Sequence, residues 1–286
     1  MDAMLPEDLS SCRIAIIGLG LMGGSMAMAL KGTCRELIGI DTDERTLELA
    51  RESQIVDSAY KSAEDVLPSA DLVILATPVC TILSLIDKLP QLHPGSAIVL
   101  DLGSTKEKIS TKLGELPERF DPVGGHPICG REKASFENAV SSLYYEATFV
   151  LTALQNTTPR AKRIVEQLVR KIGATPIWLK ASDHDRWIAA TSHFPHLIAM
   201  LSVLNTPPEA VSLIGPGFRS VTRLAGSSPD MILDMLMTNR ENILAKLVGF
   251  NFLLSEMENC LVQSDFEKAK MILQMGSERY NSLVHS

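Results

Sequence analysis

Arg13-Ile-Ala-Ile-Ile17 runs into Gly18-Leu19-Gly20-Leu21-Met22-Gly23, and Gly24-Ser-Met-Ala-Met-Ala-Leu30 follows. An apolar, β-branched run stops at a G-x-G-x-x-G triplet and hands over to helix-forming residues. The triplet alone is weak; a strand before it and a helix after it give it meaning. Gly18 permits a tight turn, Gly20 lets the backbone approach a pyrophosphate, and Gly23 allows close helix–strand packing. With Leu19, Leu21 and Met22 these residues form a loop whose helix N-terminus offers unpaired N–H groups to phosphate. A second apolar run, Leu37-Ile-Gly-Ile-Asp41, ends in an acid 18 residues beyond Gly23. A carboxylate there accepts from ribose hydroxyls and repels a 2′-phosphate, so the expected cofactor is NAD rather than NADP.

Outward from this loop, short apolar runs at 14–17, 37–40, 72–76, 97–100, 148–151 and 176–179 alternate with helical stretches. Continuous apolar runs suit strands covered on both faces. The fold expected is α/β: a Rossmann-type, doubly wound, mostly parallel sheet over residues 11–180. An all-helical domain is expected over 181–286. Ser182-Asp-His-Asp185 reads as a helix N-cap with an acid three residues on, opening a helix to about Asn205 that Pro195 should kink. Thr206-Pro-Pro breaks the chain, and further helices follow Gly215-Pro-Gly217, Asn239 and Asp265. Leu244, Leu247, Val248, Leu254, Met257, Leu261 and Val262 make the last region apolar on more than one face. Helices of that kind are buried in a core or a subunit interface, here that of a homodimer.

Composition bounds the function. The 286 residues are 45% hydrophobic and 21% charged, the balance of an ordinary globular chain. Lys plus Arg is 27 and Asp plus Glu is 34, so the net charge is −7, which argues against nucleic acid as a partner. No apolar run approaches the roughly 18–20 residues of a membrane span, and the acidic start is unlike a signal peptide. Five scattered cysteines with no C-x-x-C pair suit reduced thiols in the cytoplasm.

The chemistry-bearing residues come from strand ends. Ala76-Thr77-Pro78 and Asp101-Leu-Gly103-Ser104-Thr-Lys106 close two strands. Ligands of open parallel sheets lie beyond those ends, so Thr77, Pro78, Gly103 and Ser104 are expected at the cofactor. Thr77 fits an ordinary turn equally well. In Asp121-Pro-Val-Gly124-Gly125-His126-Pro127, two glycines free the backbone and a proline stiffens it. His126 on that loop is a candidate general base, since imidazole titrates near neutrality. For a lone histidine, capping the loop by a hydrogen bond is the default reading.

Taken together, the Gly18–Gly23 loop with Asp41, Gly103-Ser-Thr-Lys106, Gly125-His-Pro-Ile-Cys-Gly130, Ser192-His-Phe-Pro-His196 and Gly217-Phe-Arg-Ser-Val-Thr-Arg223 resemble the prephenate/arogenate dehydrogenase family of tyrosine biosynthesis. The resemblance implies NAD-linked oxidative decarboxylation. It matches His126 to the family's catalytic histidine and Ser104 to the serine supporting it. Arg223 matches an arginine binding a substrate carboxylate, Ser192 and His196 match pocket residues, and Glu132 an acid at the pocket mouth. Arg219 stands four residues before Arg223, so one helical face could present both. His193-x-x-His196 does not suggest a metal, because no further ligand completes a set. Arg131 and Cys129 depart from the commoner pattern. An arginine at the pocket edge favours prephenate, a dicarboxylate without an ammonium group, over arogenate. A β-hydroxyacid dehydrogenase is the alternative enzyme class, but its helical lysine has no counterpart between residues 181 and 245. A non-catalytic NAD sensor is the remaining alternative. A monofunctional enzyme is expected, without a regulatory domain or a fused mutase.

Overall fold

The computed structural model describes residues 6–130 and 135–284. Among these the strands are β1 (Arg13–Ile17), β2 (Glu36–Ile40), β3 (Ser58–Tyr60), β4 (Leu72–Leu75), β5 (Ala97–Asp101), β6 (Phe120–Pro127), β7 (Thr148–Ala153) and β8 (Thr175–Trp178). They form one sheet in the order β3-β2-β1-β4-β5-β6-β7-β8. The pairing is parallel from β3 through β6, antiparallel between β6 and β7, and parallel again between β7 and β8. From β1 the chain builds β2 and β3 on one side, then returns to lay β4 on the other. That reversal opens a crevice beyond the carboxyl ends of β1 and β4.

The flanking helices are α1 (Leu21–Leu30), α2 (Glu44–Glu52), α3 (Val79–Leu92), α4 (Glu107–Gly114) and α5 (Pro159–Lys171). Alternate strand residues feed opposite faces. Ile14, Ile16, Leu72, Ile74, Ile98 and Leu100 belong to one core with Met26 and Leu30 of α1 and Ile164 and Leu168 of α5. Ala15, Ile17, Val73, Leu75 and Val99 belong to the other, with Ile82 and Ile86 of α3 and Ile109 and Leu113 of α4. Each fully buried Ile or Leu contributes about 1.5–3 kcal/mol relative to an exposed one.

Two strands differ from expectation. β3 is three residues of Ser-Ala-Tyr at the sheet edge. β6 occupies the stretch read from sequence as a loop, because Pro122, Gly124 and Gly125 are residues strands normally avoid. Pro122 nonetheless sits in register with Val99, and its carbonyl accepts the Thr157 hydroxyl at 2.6 Å. The glycines supply clearance rather than backbone freedom: the positive-φ glycines are Gly18, Gly32 and Gly173. A Cβ on Gly125 would fall 2.5 Å from the Asp101 carbonyl oxygen and 2.8 Å from Leu100 Cδ1.

Beyond residue 180 the described chain is helical: α6 (Ala181–Ile188), α7 (Phe194–Leu204), α8 (Pro216–Thr222), α9 (Pro229–Thr238), α10 (Arg240–Val262) and α11 (Phe266–Val284). The helix start differs from the reading above: α6 begins at Ala181, behind Lys180, and no side chain caps it. The expected kink takes the form of one wide π-type turn, Ala189–His193, between α6 and α7. Pro195 follows in the first turn of α7, directly behind the helical His193, so the wide turn ends where the proline offers no N–H to the preceding turn.

The chain divides into two compact units, residues 1–240 and 241–286. In the first, Ala181–Leu204 is long and apolar enough, by length and composition, to cross a membrane, contrary to the expectation from apolar runs. Its His184, Asp185 and His193 are buried, however, and bonded to His126 of β6, to the Lys106 N–H and to Asn239. Those bonds make it a structural helix pair of the first unit. Within the second unit, Lys268 of α11 pairs with Glu256 of α10 at 2.7 Å, and Asp265 accepts the Lys268 N–H at 3.0 Å.

Candidate active site

The glycine loop lies at the mouth of the β1–β4 crevice. Gly18 has φ +94°, and a Cβ there would press within 2.7 Å of Thr77 Cγ2 and 2.9 Å of the Ala76 carbonyl oxygen. At Gly23 a Cβ would lie 1.8 Å from the Gly18 carbonyl oxygen, so helix and loop touch backbone to backbone. The Gly24 N–H closes the first turn of α1 on the Gly20 carbonyl at 2.8 Å. Tyr144 donates its hydroxyl to the Met22 carbonyl at 2.7 Å, and Ser25 Oγ accepts the Val140 N–H at 3.0 Å.

Asp41 stands at the end of β2. One carboxylate oxygen accepts the Leu19 N–H at 2.7 Å, and the other accepts the Asp43 N–H at 2.9 Å. Across the crevice Thr77 Oγ1 is buried without a hydrogen-bond partner among the described residues, and Pro78 leads into α3. A dinucleotide fits these observations: a cradle that any side chain at Gly18 would fill, a helix N-terminus, an orphaned hydroxyl and a carboxylate. The groups that would hold NAD are the 18–23 backbone, Asp41 and Thr77.

Two strands along, Asp101 ends β5 fully buried. Its carboxylate accepts the Gly103 N–H at 2.8 Å and the Gly125 N–H at 3.1 Å, and it pairs with the equally buried ammonium of Lys106. One acid thus ties the residue before Ser104 to the residue before His126. Burial drives the Lys106 ammonium below its ordinary range and the Asp101 carboxyl above its own, each opposed by the other's charge. A buried pair of this kind costs desolvation and contributes position more than stability.

His126 lies in β6 beside Val150 of β7, not on a loop, and is half-buried. Burial, with the neighbouring His184, Lys106 and His193, pushes its pKa well below 6.5. It is therefore a neutral imidazole at neutral pH, able to accept a proton. Its Nδ1 lies 2.8 Å from Nε2 of His184, whose Nδ1 donates to Asp185 at 2.7 Å. Asp185 in turn accepts the N–H groups of Lys106 and Glu107, at 2.7 and 2.9 Å, and so caps α4.

The helices after 180 dock on this edge by the same device. Asp234 of α9 accepts the Cys80 N–H in the first turn of α3 at 3.0 Å, and Thr105 and Thr238 share a hydroxyl contact at 2.9 Å. The Asn239 amide donates to the Asp185 carbonyl at 2.8 Å and meets His193 Nδ1 at 3.2 Å. Sequence reasoning passed over His184, Asp185 and Asp234, whose partners lie 58 to 154 residues away. A faint signal existed: the Asp-His-Asp run sets a histidine between two acids.

Ser192 lies in the π-type turn, and its carbonyl accepts the Nδ1–H of His196 at 2.9 Å. Arg223 opens a short turn, Arg223–Gly226, that packs against α7, and Arg219 lies in the preceding α8. Both arginines are exposed. Burial raises the half-buried Cys129 thiol to about 11, so it is no thiolate. Arg131 and Glu132 lie outside the described residues.

The sequence matches the family description "Prephenate dehydrogenase, nucleotide-binding domain" over residues 26–178 and "Prephenate dehydrogenase, dimerization domain" over 180–275. The chain belongs to the prephenate dehydrogenase family. It is similar to the prephenate dehydrogenase of Bacillus subtilis (strain 168), 32% identical over 266 residues, covering 89% of this chain and 71% of that protein. Among solved structures it resembles prephenate dehydrogenase from Aquifex aeolicus in complex with hydroxyphenyl propionate and NAD+. There the identity is 30% and the TM-score 0.86, covering 96% and 99% of the two chains. Synechocystis arogenate dehydrogenase is 26% identical with a TM-score of 0.77, covering 95% and 100%. The first matched region takes in β4 and the His126 strand, with β1 and the glycine loop preceding it, and the second takes in Ser192 through Arg223.

Proposed function

We propose that this chain, an NAD-dependent oxidoreductase of the prephenate dehydrogenase family, oxidatively decarboxylates prephenate to 4-hydroxyphenylpyruvate and carbon dioxide. The observation that carries the proposal is His126: a neutral, half-buried imidazole on the same sheet edge as the dinucleotide crevice. NAD, when bound, supplies the hydride acceptor. His126 takes the proton of the ring hydroxyl as the carbon bearing it is oxidised. Loss of the ring carboxylate as carbon dioxide sends an electron pair through the ring to that oxygen, which takes the proton back from His126 as the ring becomes a phenol. Ser104, on the turn fixed by Asp101, supports the hydroxyl and the imidazole. Arg223, with the weaker help of Arg219, holds a substrate carboxylate through its planar guanidinium. Ser192 and His196 line the substrate pocket, with Glu132, on the strength of the family resemblance, and Arg131 as further substrate-binding residues. Gly18, Leu19, Gly20, Leu21, Met22, Gly23, Asp41, Thr77, Pro78 and Gly103 hold the cofactor.

In this reading the functional division falls near residue 180, where the two matched domain descriptions meet. The enzyme is a cytoplasmic homodimer joined through its C-terminal helices. Exposed Val248, Phe252, Leu261, Val262, Leu273 and Met275 support that assembly, since monomers rarely leave large contiguous apolar patches in water. The experiment is to offer purified enzyme NAD or NADP with prephenate or arogenate and follow reduced cofactor. NAD with prephenate should give the highest kcat/KM. Turnover confined to arogenate would transfer the reading to that substrate, and no turnover in any pair would overturn it.

A further inference from the structure

We propose that His184 and Asp185 are positioning residues that fix the tautomer of His126. The inference rests on the functional reading above and concerns how its base is prepared. Asp185 is fully buried, and its carboxylate is held by the backbone N–H groups of Lys106 and Glu107, so its place is set by the start of α4. A carboxylate only accepts hydrogen bonds, so the His184 nitrogen facing it, Nδ1 at 2.7 Å, carries the hydrogen. In the neutral ring the opposite nitrogen, Nε2, is then a lone pair. That lone pair faces His126 Nδ1 at 2.8 Å, and the two rings meet edge-on, 76° apart. A lone pair calls for a donor, so His126 carries its hydrogen on Nδ1. Its Nε2 is left as the basic nitrogen.

The consequence is chemical. Imidazole free in water can carry its hydrogen on either nitrogen, and a base with its hydrogen on Nε2 has nothing to accept with there. The Asp185–His184 pair removes that wrong state. When Nε2 takes the substrate proton, the resulting imidazolium keeps its Nδ1–H on His184, with the Asp185 carboxylate behind it to balance the charge. The arrangement also links the base to the fold: the acid that caps α4 orders the imidazole pair, and the Asn239 amide holds the carbonyl of the same residue.

The test combines ¹⁵N-histidine NMR with kinetics on the full-length enzyme. In wild type, the resonances lost in His126→Asn identify His126, and they should show a protonated Nδ1 and an unprotonated Nε2. In His184→Phe, which keeps a ring but removes the acceptor, the His126 nitrogens should move toward an Nε2–H population. There kcat should fall roughly 10²-fold or more, with KM for prephenate and NAD within about twofold, by analogy with loss of the orienting acid in other His-based sites. His184→Gln, whose amide oxygen can accept from Nδ1, should recover part of kcat. A wild-type His126 protonated on Nε2 would overturn the proposal, as would a His184→Phe enzyme with unchanged kcat and unchanged tautomer. If wild type turned over no substrate, the functional reading would fail while the NMR result still decided the tautomer.

Discussion

Asp41 Oδ2 accepts the Leu19 N–H at 2.7 Å, joining the end of the second strand to the middle of the glycine loop across 22 residues. The carboxylate therefore does two things: it shapes the loop and presents negative charge where the adenosine ribose would sit. Asp41→Asn should weaken NAD binding, raising KM about 10-fold for loss of one or two charge-assisted hydrogen bonds. The NAD-to-NADP preference should narrow by a similar factor or more. Initial rates with both cofactors check this, and an unchanged ratio of the two kcat/KM values would contradict it.

Gly125 is predicted to be intolerant for reasons of space. An alanine Cβ would lie 2.5 Å from the Asp101 carbonyl oxygen, inside a buried sheet. Overpacking of this kind costs about 1–3 kcal/mol. The melting temperature of Gly125→Ala should fall by roughly 2–12 °C. Gly130→Ala is the control, because among the described residues no atom beyond its chain neighbours lies within 4 Å of its added Cβ. Its stability should stay within about 0.5 kcal/mol of wild type by denaturant titration.

The buried histidines set the acid limit of stability. Burial lowers His193 to about 4, against the opposing charge of Asp185, and pushes His126 well below 6.5. Between those values and 6.5 the unfolded chain binds more protons than the folded one, so stability rises with pH. Their contribution is complete above pH 6.5 and is lost as pH falls toward 4. Denaturant midpoints should be flat from about pH 7 to 8 and drop progressively below 6.5. A midpoint unaffected between pH 7 and 4.5 would contradict this.

Most of the sheet was legible because its strands are continuous apolar runs, which only a doubly covered parallel sheet accommodates. Gly18, Gly23 and Asp41 were legible for a related reason, since their roles depend on neighbours within one strand–turn–helix unit. β6 was hidden because its residues are those that strands exclude. Pro122 is accommodated where its carbonyl meets Thr157, and Gly125 where Asp101 leaves no room for a side chain. Asp185 was misread as part of its own helix start, though it caps α4, whose Glu107 lies 78 residues earlier in the chain. Local pattern carries no information about a partner that distant. The break before α7 was legible from Pro195, but its form as a wide turn was not, and there His193 meets Asn239, a partner 46 residues away.

The central claim is that His126 is the general base of a prephenate oxidation, and His126→Asn tests it most directly. Asparagine fills similar space but cannot take a proton. Steady-state NADH formation from prephenate should fall roughly 10²- to 10⁴-fold in kcat, the range spanned by general-base catalysis, with the melting temperature little changed. A His126→Asn enzyme that turns over prephenate at the wild-type rate would contradict the account.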